Sequence, residues 1–177
     1  MKRSEINQSI REALDFLAEH RFLLPEWATW TPRMWGTHGE TCREIRDNAL
    51  GWDVTDFGKR NFAQEGLTLF TIRNGNPARD RKTYCEKIMF VREGQTTPIH
   101  FHWHKMEDII NRGGGDLCMK LWRADDKEGM TDAPCSFQID GITTTVRAGE
   151  VLRLRPGQSI TFEPYMYHTF WAEGGHC

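Results

Sequence analysis

Apolar residues near the start of the chain recur at intervals of three and four residues. This spacing places them on one face of an α-helix. The positions are Ile6, Ile10, Ala13, Leu14 and Leu17. The pattern predicts an amphipathic helix over residues 4–20, with Ser4 as a candidate N-cap. One face of this helix is expected to pack against a larger body.

Residues 22–60 interrupt this regular pattern with prolines, glycines and four tryptophans. Such a composition is typical of irregular structure and short helices. We expect this region to cover a core and to form no separate domain.

From Leu67 onwards, short β-prone runs alternate with Gly, Pro, Asn and Asp. The runs are LTLFTIR, CEKIMFV, DLCMKLW, FQID, ITTTVRAG, EVLRLR and SITFEP. Strands this short, without long helices between them, predict antiparallel pairing in a sandwich or barrel that protects its edges. The predicted fold is mainly β, as one domain over residues 1–177, with an N-terminal helical extension at 1–60 and a β-barrel at 67–177.

Composition narrows the classes of partner. The chain has 177 residues, with 25 acidic and 23 basic side chains spread along it. That balance argues against a nucleic-acid surface or a polybasic membrane anchor, and favours small-molecule partners. The N-terminus MKRSEINQSIREALDF is too charged for a signal peptide or membrane span, so we expect a cytoplasmic protein. Five cysteines without a CxxC pair are expected to be reduced thiols.

Three histidines stand close together in the segment PIHFHWHKMEDIINRGGG. In an extended strand, alternate side chains share a face. His100, His102 and His104 could therefore point one way, with Phe101 and Trp103 pointing the other way. Two of the three histidines would be enough to begin a metal site.

The nearest carboxylate, Glu107, decides which two histidines are used. With His100 and His102 the motif is HxHxxxxE, which leaves room for the chain to return Glu107 to the same ion. With His102 and His104, only two residues would remain for that return. We therefore favour His100, His102 and Glu107.

A fourth ligand should come from a strand distant in sequence. His168 fits best, because it follows glycine and proline turns and leads into the apolar run TFW. His20 lies in the predicted helix, His38 lies in a glycine-flanked loop, and His176 lies at an end expected to fray. Ordinary surface roles are expected for those three.

Three imidazoles and one carboxylate suit a divalent ion such as Mn, Fe, Co, Ni or Zn and leave coordination positions open for a substrate. An open position favours catalysis. The alternative is a set of hydrogen-bonded strand histidines that hold no ion.

The HFH pair with Glu107, followed by a glycine-marked motif ending at His168, resembles the two motifs of cupins. This resemblance implies a double-stranded β-helix, or jelly-roll, barrel. The longer strings TPIHFHWHKMEDIINRGGG, YCEKIMFVREGQ and LRPGQSITFEPYMYHTFWAE resemble the D-lyxose isomerase family of sugar ketol-isomerases. The likeness extends over nearly the whole chain.

The resemblance implies an isomerase that interconverts D-lyxose with D-xylulose, and D-mannose with D-fructose, through an enediolate. It implies a divalent ion, commonly manganese, held by His100, His102, Glu107 and His168, and it places Lys87 in the pocket. Alternation within CEKIMFV puts Lys87 on the face of Cys85 and Met89, while an exposed strand lysine is equally compatible. A homodimer is also implied.

The end of the sequence departs from that family. Relatives continue past the His168 strand with further strands and another acidic residue, whereas this chain stops nine residues after His168. We expect a barrel truncated at its C-terminus, an open sheet edge and loss of the carboxylate base that shuttles the proton. Glu163 is the nearby substitute, but alternation from His168 puts it on the opposite face.

Two other functions share the same ligand set. A cupin dioxygenase uses three histidines and a glutamate to hold iron or nickel, and a non-catalytic cupin could bind a sugar without converting it. Manganese without oxygen uptake would favour the isomerase, and sugar affinity without turnover would favour the binding protein.

Overall fold

The computed structural model describes residues 1–177, which form three helices, two 3₁₀ turns and ten strands. The helices are α1 (Arg3–Glu19), α2 (Pro32–His38) and α3 (Arg43–Asp47), and the 3₁₀ turns are Glu26–Thr29 and Gly39–Cys42. The strands are β1 (Gly51–Thr55), β2 (Leu67–Asn74), β3 (Cys85–Phe90), β4 (Glu107–Ile110), β5 (Asp116–Arg123), β6 (Cys135–Ile139), β7 (Ile142–Val146), β8 (Val151–Leu154), β9 (Ser159–Phe162) and β10 (Met166–Glu173). None of the helices combines the length and apolarity that crossing a membrane requires.

Helix α1 confirms the amphipathic pattern, because Ala13 and Leu17 are buried on one face. The expected N-cap was wrong. The helix begins at Arg3, so Ser4 lies inside it and Lys2 occupies the cap position. The Glu5 carboxylate takes over the capping role by accepting a hydrogen bond of 2.5 Å from the backbone N–H of Lys2.

The first of two compact units comprises residues 1–56 and 67–90. Its sheet has the order β1-β2-β3, with both pairings antiparallel. Phe70 of the central strand is fully buried, with its ring 4.7 Å from Trp27 and 5.1 Å from Trp52. The region 22–60 therefore covers a core, as predicted, but it also contributes β1, which the glycine-rich sequence did not suggest.

The second unit comprises residues 57–66 and 91–177. It contains two antiparallel sheets, with the orders β10-β5-β8 and β4-β9-β6-β7. The buried apolar side chains of its strands include Ile109, Leu117, Met119, Leu121, Phe137, Leu154, Ile160, Phe162, Phe170 and Ala172. The predicted β runs are confirmed as strands, while β4 is an additional strand that starts at the predicted ligand Glu107.

The barrel truncated at its C-terminus, with an open sheet edge, stays a prediction, and the strand that carries His168 is paired on both sides. Strand β10 pairs with β5 on one side, and residues 91–100 hydrogen-bond along its other side. The contacts run from Val91, which exchanges two backbone hydrogen bonds with Cys177, to His100 opposite His168. The hydrogen bonds of residues 91–100 are irregularly spaced, so this segment has no β-strand pattern in the sequence.

The chain end is also held in place. His176 was expected to fray, yet its Nδ1 accepts a hydrogen bond of 2.9 Å from the backbone N–H of Glu93. A Cβ at Gly115 would lie 2.6 Å from the carbonyl oxygens of Glu173 and Gly175. The GGG run therefore allows a backbone approach that a larger residue would block.

Candidate metal centre

Two of the predicted ligands are brought together by reciprocal backbone hydrogen bonds. The N–H of His100 donates to the carbonyl of His168 at 3.1 Å, and the N–H of His168 donates back at 2.8 Å. This antiparallel bridge fixes both residues side by side, with ring centroids 4.3 Å apart. Phe162 of β9 stacks on His168 at 4.9 Å, which restrains the orientation of that ring.

Backbone carbonyls select the tautomers of these two rings. The Nδ1 of His100 lies 2.9 Å from the carbonyl oxygen of Pro98, and the Nδ1 of His168 lies 3.0 Å from that of Met166. A carbonyl can only accept, so each Nδ1 carries the proton and each Nε2 keeps a free lone pair. Such carbonyl partners are the usual support of metal-binding histidines.

The third histidine, His102, lies just beyond the bridge. Its ring centroid is 5.0 Å from that of His100 and 5.5 Å from that of His168. One ring nitrogen from each of the three histidines falls within 4.8 Å of the other two. The histidines selected from spacing therefore lie together, whereas His104 is exposed and outside the cluster.

The local backbone differs from the regular strand that the sequence predicted. His100 forms an isolated bridge, and the chain bends at Trp103 and His104. Phe101 still points to the side opposite the histidines, where its ring lies 4.6 Å from that of Tyr167. Alternation was thus correct up to His102 and fails at the bend, which explains the separation of His104.

Glu107 reaches the same cluster from the first position of β4. Its Oε2 lies 3.2 Å from Nε2 of His102 and 3.6 Å from Nε2 of His168. The Glu107 carboxylate therefore lies beside two of the three histidines of the predicted four-residue set.

The sequence reasoning missed Lys105. Its Nζ donates a 3.0 Å hydrogen bond to Oε1 of Glu107, and about half of its side chain is exposed. Two residues apart on an extended chain, Lys105 and Glu107 share a side. The spacing KxE beside the histidines was therefore a usable signal.

The electrostatics of the cluster favour neutral imidazoles and an ionised carboxylate. Burial, with the neighbouring His100, lowers the pKa of His168 to about 4. Burial and the ammonium of Lys105 also lower the pKa of His102. For Glu107, burial acts to raise the pKa, but Lys105 and the histidines outweigh it, so the pKa lies below its usual value. These are the protonation states that metal binding requires.

The donor atoms also fit a cation. Nε2 of His102 and Nε2 of His168 are buried and have no hydrogen-bond partner, although Oε2 of Glu107 lies 3.2 Å from the first of them. A buried acceptor without a partner costs free energy. A divalent ion with nitrogen and oxygen ligands would satisfy both nitrogens and balance the Glu107 charge.

The other candidate residues lie in, or directly after, different elements of the chain. Lys87 is exposed on β3 of the first unit, where it pairs in register with Thr71. His20 is exposed at the end of α1 and bonds the carbonyl of Phe16. The ring of His38 stacks on Trp30 at 3.8 Å. Glu163 is exposed after β9.

Fold and site together define a class: mainly β proteins with a partly buried histidine cluster suited to a divalent ion. Comparison with known proteins narrows this class. The sequence model of the D-lyxose isomerase family matches residues 1–177. The D-lyxose/D-mannose isomerase of Escherichia coli O157:H7 is 49% identical over 178 residues, covering 99% of this chain and 78% of that protein. The protein of the same name from Serratia proteamaculans is 47% identical with the same coverage.

This chain belongs to the D-lyxose isomerase family. Among solved structures, L-ribose isomerase of Acinetobacter sp. DL28 in complex with L-ribose superposes with a TM-score of 0.61 at 15% identity, covering 99% of this chain and 78% of that one. L-ribose isomerase of Cellulomonas parahominis with L-ribose gives 0.56 at 17% identity, covering 99% and 80%. The predicted mainly β cupin fold is confirmed.

Proposed function

We propose that this protein is a metal-dependent aldose–ketose isomerase that interconverts D-lyxose with D-xylulose and D-mannose with D-fructose through an enediolate. The observation that carries the proposal is the convergence of three imidazoles on one point beside Glu107, with two buried Nε2 atoms lacking partners. Membership of the D-lyxose isomerase family supports the isomerase over the dioxygenase and the non-catalytic sugar-binding cupin.

His100, His102, His168 and Glu107 would hold the ion, and we propose Mn²⁺ as its identity. The bridge between His100 and His168 keeps two of the donors in place before the ion arrives. The carbonyls of Pro98 and Met166 keep the Nε2 lone pairs directed inwards. Because the His168 pKa is near 4, its imidazole is neutral at neutral pH and ready to donate its lone pair.

Isomerisation removes a proton next to a carbonyl and returns it to the neighbouring carbon. When bound, the divalent ion supplies a Lewis acid that polarises the carbonyl and stabilises the negative charge of the enediolate. Lys105 would add a second positive charge, because its ammonium lies against Glu107 and is half exposed, within reach of an incoming polar ligand.

Lys87 is retained as a proposed catalytic residue on the strength of the family resemblance. It lies on β3 with an exposed side chain. A hydrogen bond or proton from Lys87 to a sugar oxygen would be its contribution.

The direct test measures ketose formation from D-lyxose and D-mannose with and without added Mn²⁺. His102→Ala removes one member of the cluster, and His104→Ala is its matched control, because His104 is exposed two residues away. Bound metal is measured on the same samples by elemental analysis. We expect metal-dependent turnover in the wild type and His104→Ala, and loss of both metal and turnover in His102→Ala.

The outcomes separate the parts of the proposal. Bound metal without ketose formation would reject the isomerase and favour the non-catalytic sugar-binding protein. Bound metal with oxygen consumption would favour the dioxygenase. Equal metal content in His102→Ala and His104→Ala would reject the proposed metal centre.

We further propose a cytoplasmic homodimer. The five cysteines are free thiols, and three of them are buried, which suits a reducing compartment. Leu23 and Ile142 are 88% and 70% exposed, and an interface would remove such apolar surface from water. Light scattering after size-exclusion chromatography gives the oligomeric state, and a monomeric mass would reject the dimer.

A further inference from the structure

A short turn after β5 presents Glu128 in a fixed orientation. Asp125 and Gly129 close the turn, because the N–H of Asp125 donates to the carbonyl of Gly129 at 2.8 Å. The Asp125 carboxylate also accepts from the N–H groups of Lys127 at 2.8 Å and Gly129 at 2.7 Å. Glu128 itself adopts a left-handed backbone conformation, with φ at 64°. The turn therefore holds the direction of Glu128 by its own hydrogen bonds.

Glu128 accepts hydrogen bonds from two aromatic side chains on different segments. The indole N–H of Trp103 donates to Oε1 of Glu128 at 2.8 Å. The hydroxyl of Tyr167 donates to the backbone carbonyl of Glu128, also at 2.8 Å. One residue thus connects two parts of the chain that are far apart in sequence.

Each of these aromatic residues is the immediate neighbour of a histidine of the cluster. Trp103 follows His102, and Tyr167 precedes His168. Tyr167 and His168 are adjacent in a strand and point to opposite sides, and Trp103 is joined directly to His102. A contact that holds either aromatic residue therefore also limits the movement of the histidine next to it. Phe101 joins the two aromatic residues, with its ring 5.1 Å from Trp103 and 4.6 Å from Tyr167.

His102 depends on such outside contacts more than the other two histidines do. His100 and His168 are fixed by their reciprocal backbone bridge. Beyond the bridge, the backbone of His102 is held by one hydrogen bond of 2.9 Å, from the N–H of Tyr165 to its carbonyl. The next residue, Trp103, is already in the bend, and its bond to Glu128 limits rotation of this segment.

We infer that Glu128 is a positioning residue of the metal centre, which sets the placement of His102 relative to His168 through Trp103 and Tyr167. This inference rests on the proposed metal centre. Glu128 does not touch the cluster, so its effect reaches the ion only through the histidine that it helps to place. Supporting residues outside the ligand shell commonly change metal affinity without changing the ligands.

The experiment measures Co²⁺ affinity of the full chain from the visible absorption of the bound ion. Glu128→Ala removes the acceptor, Trp103→Phe removes the donor and keeps an aromatic ring, and Glu128→Gln keeps an acceptor oxygen. Lys127→Ala is the matched control, because it alters a neighbouring exposed side chain and retains the backbone bonds of the turn. Thermal unfolding of each variant in chelator reports on the metal-free fold.

We expect Co²⁺ to bind about fivefold more weakly to Glu128→Ala and to Trp103→Phe, the scale of one exposed, charge-assisted hydrogen bond. The absorption band should change shape, since the ligand geometry changes. Glu128→Gln should recover most of the affinity, and Lys127→Ala should match the wild type. The double variant Trp103→Phe/Glu128→Ala should lose no more than either single variant, because both remove the same bond.

An affinity of Glu128→Ala equal to that of Lys127→Ala would overturn the inference while leaving the metal centre intact. An affinity loss accompanied by an equal loss of metal-free stability would also overturn it, since Glu128 would then support the fold in general. Failure of the wild type to bind Co²⁺ would instead reject the metal centre on which the inference rests.

Discussion

The metal-free protein is expected to lose stability between pH 6.5 and pH 4 because of His168. This imidazole is 2% exposed, and burial together with His100 lowers its pKa from the ordinary 6.5 to about 4. Between these two values, His168 binds a proton in the unfolded chain but stays neutral in the folded protein. The stabilising effect of the neutral imidazole is complete above pH 6.5 and declines as the pH falls towards 4.

The size of the effect follows from the shift. One pKa unit corresponds to about 1.4 kcal/mol, so a pKa near 4 instead of 6.5 gives a total loss of about 3 kcal/mol. About 2 kcal/mol of this should be lost by pH 5. Glu107 does not offset this loss, because its pKa is lowered in the folded state, so any change in stability that it adds on acidification is also a loss.

The assay is urea unfolding in the presence of chelator at pH 8 and pH 5. His168→Gln removes the titrating group. The difference in unfolding free energy between pH 8 and pH 5 should therefore be about 2 kcal/mol smaller in this variant than in the wild type. His104→Gln is the control, since it removes an exposed histidine. A wild type and a His168→Gln variant that lose stability equally on acidification would refute the assignment of a neutral buried imidazole at this position.

Three further predictions concern the same cluster. Lys105→Met should raise the pKa of Glu107 and lower kcat/KM by about tenfold, whereas Lys105→Arg should retain most activity, as measured by pH-rate profiles. Phe162→Ala should lower the unfolding free energy by about 3 kcal/mol, because the ring is only 2% exposed. It should also weaken metal binding, because the ring stacks on His168, and an unchanged metal affinity would show that this stacking does not orient His168. When the free metal ion is present at a hundred times its Kd, removing it should lower the free energy of unfolding by about 2.7 kcal/mol. Calorimetry would show this loss as a lower Tm.

The β core was predictable because its strands combine β-prone runs with turn residues. The two strands that were missed are short and carry little pattern. Strand β1, GWDVT, begins with glycine among tryptophans, and strand β4, EDII, begins with two acids. Their pairing partners, β2 and β9, supply the regular hydrogen bonding, which no local propensity records.

The sequence predicted the residues of the proposed ligand set better than it predicted the path of their backbone. Alternation correctly grouped His100 with His102, and Glu107 was selected by the length of chain needed to return to the same ion. The bend at Trp103 was not visible in the sequence, and the hydrogen bond that Trp103 makes there joins it to Glu128, 25 positions away. The pairing of Lys105 with Glu107 could have been predicted from their KxE spacing.

The sequence predicted which histidines lie together but not the contacts that hold them, because the two depend on different ranges of the chain. Local sequence fixes which side chains share a face, so it identifies His100 and His102. The reciprocal bonds between His100 and His168, and the contacts of Glu128 with Trp103 and Tyr167, are long-range. In the proposed metal centre these long-range contacts would set the distances between the donor atoms, and the spacing of the donor atoms decides whether an ion is held. Metal affinity in this fold is therefore expected to respond to residues outside the ligand set that join its two segments.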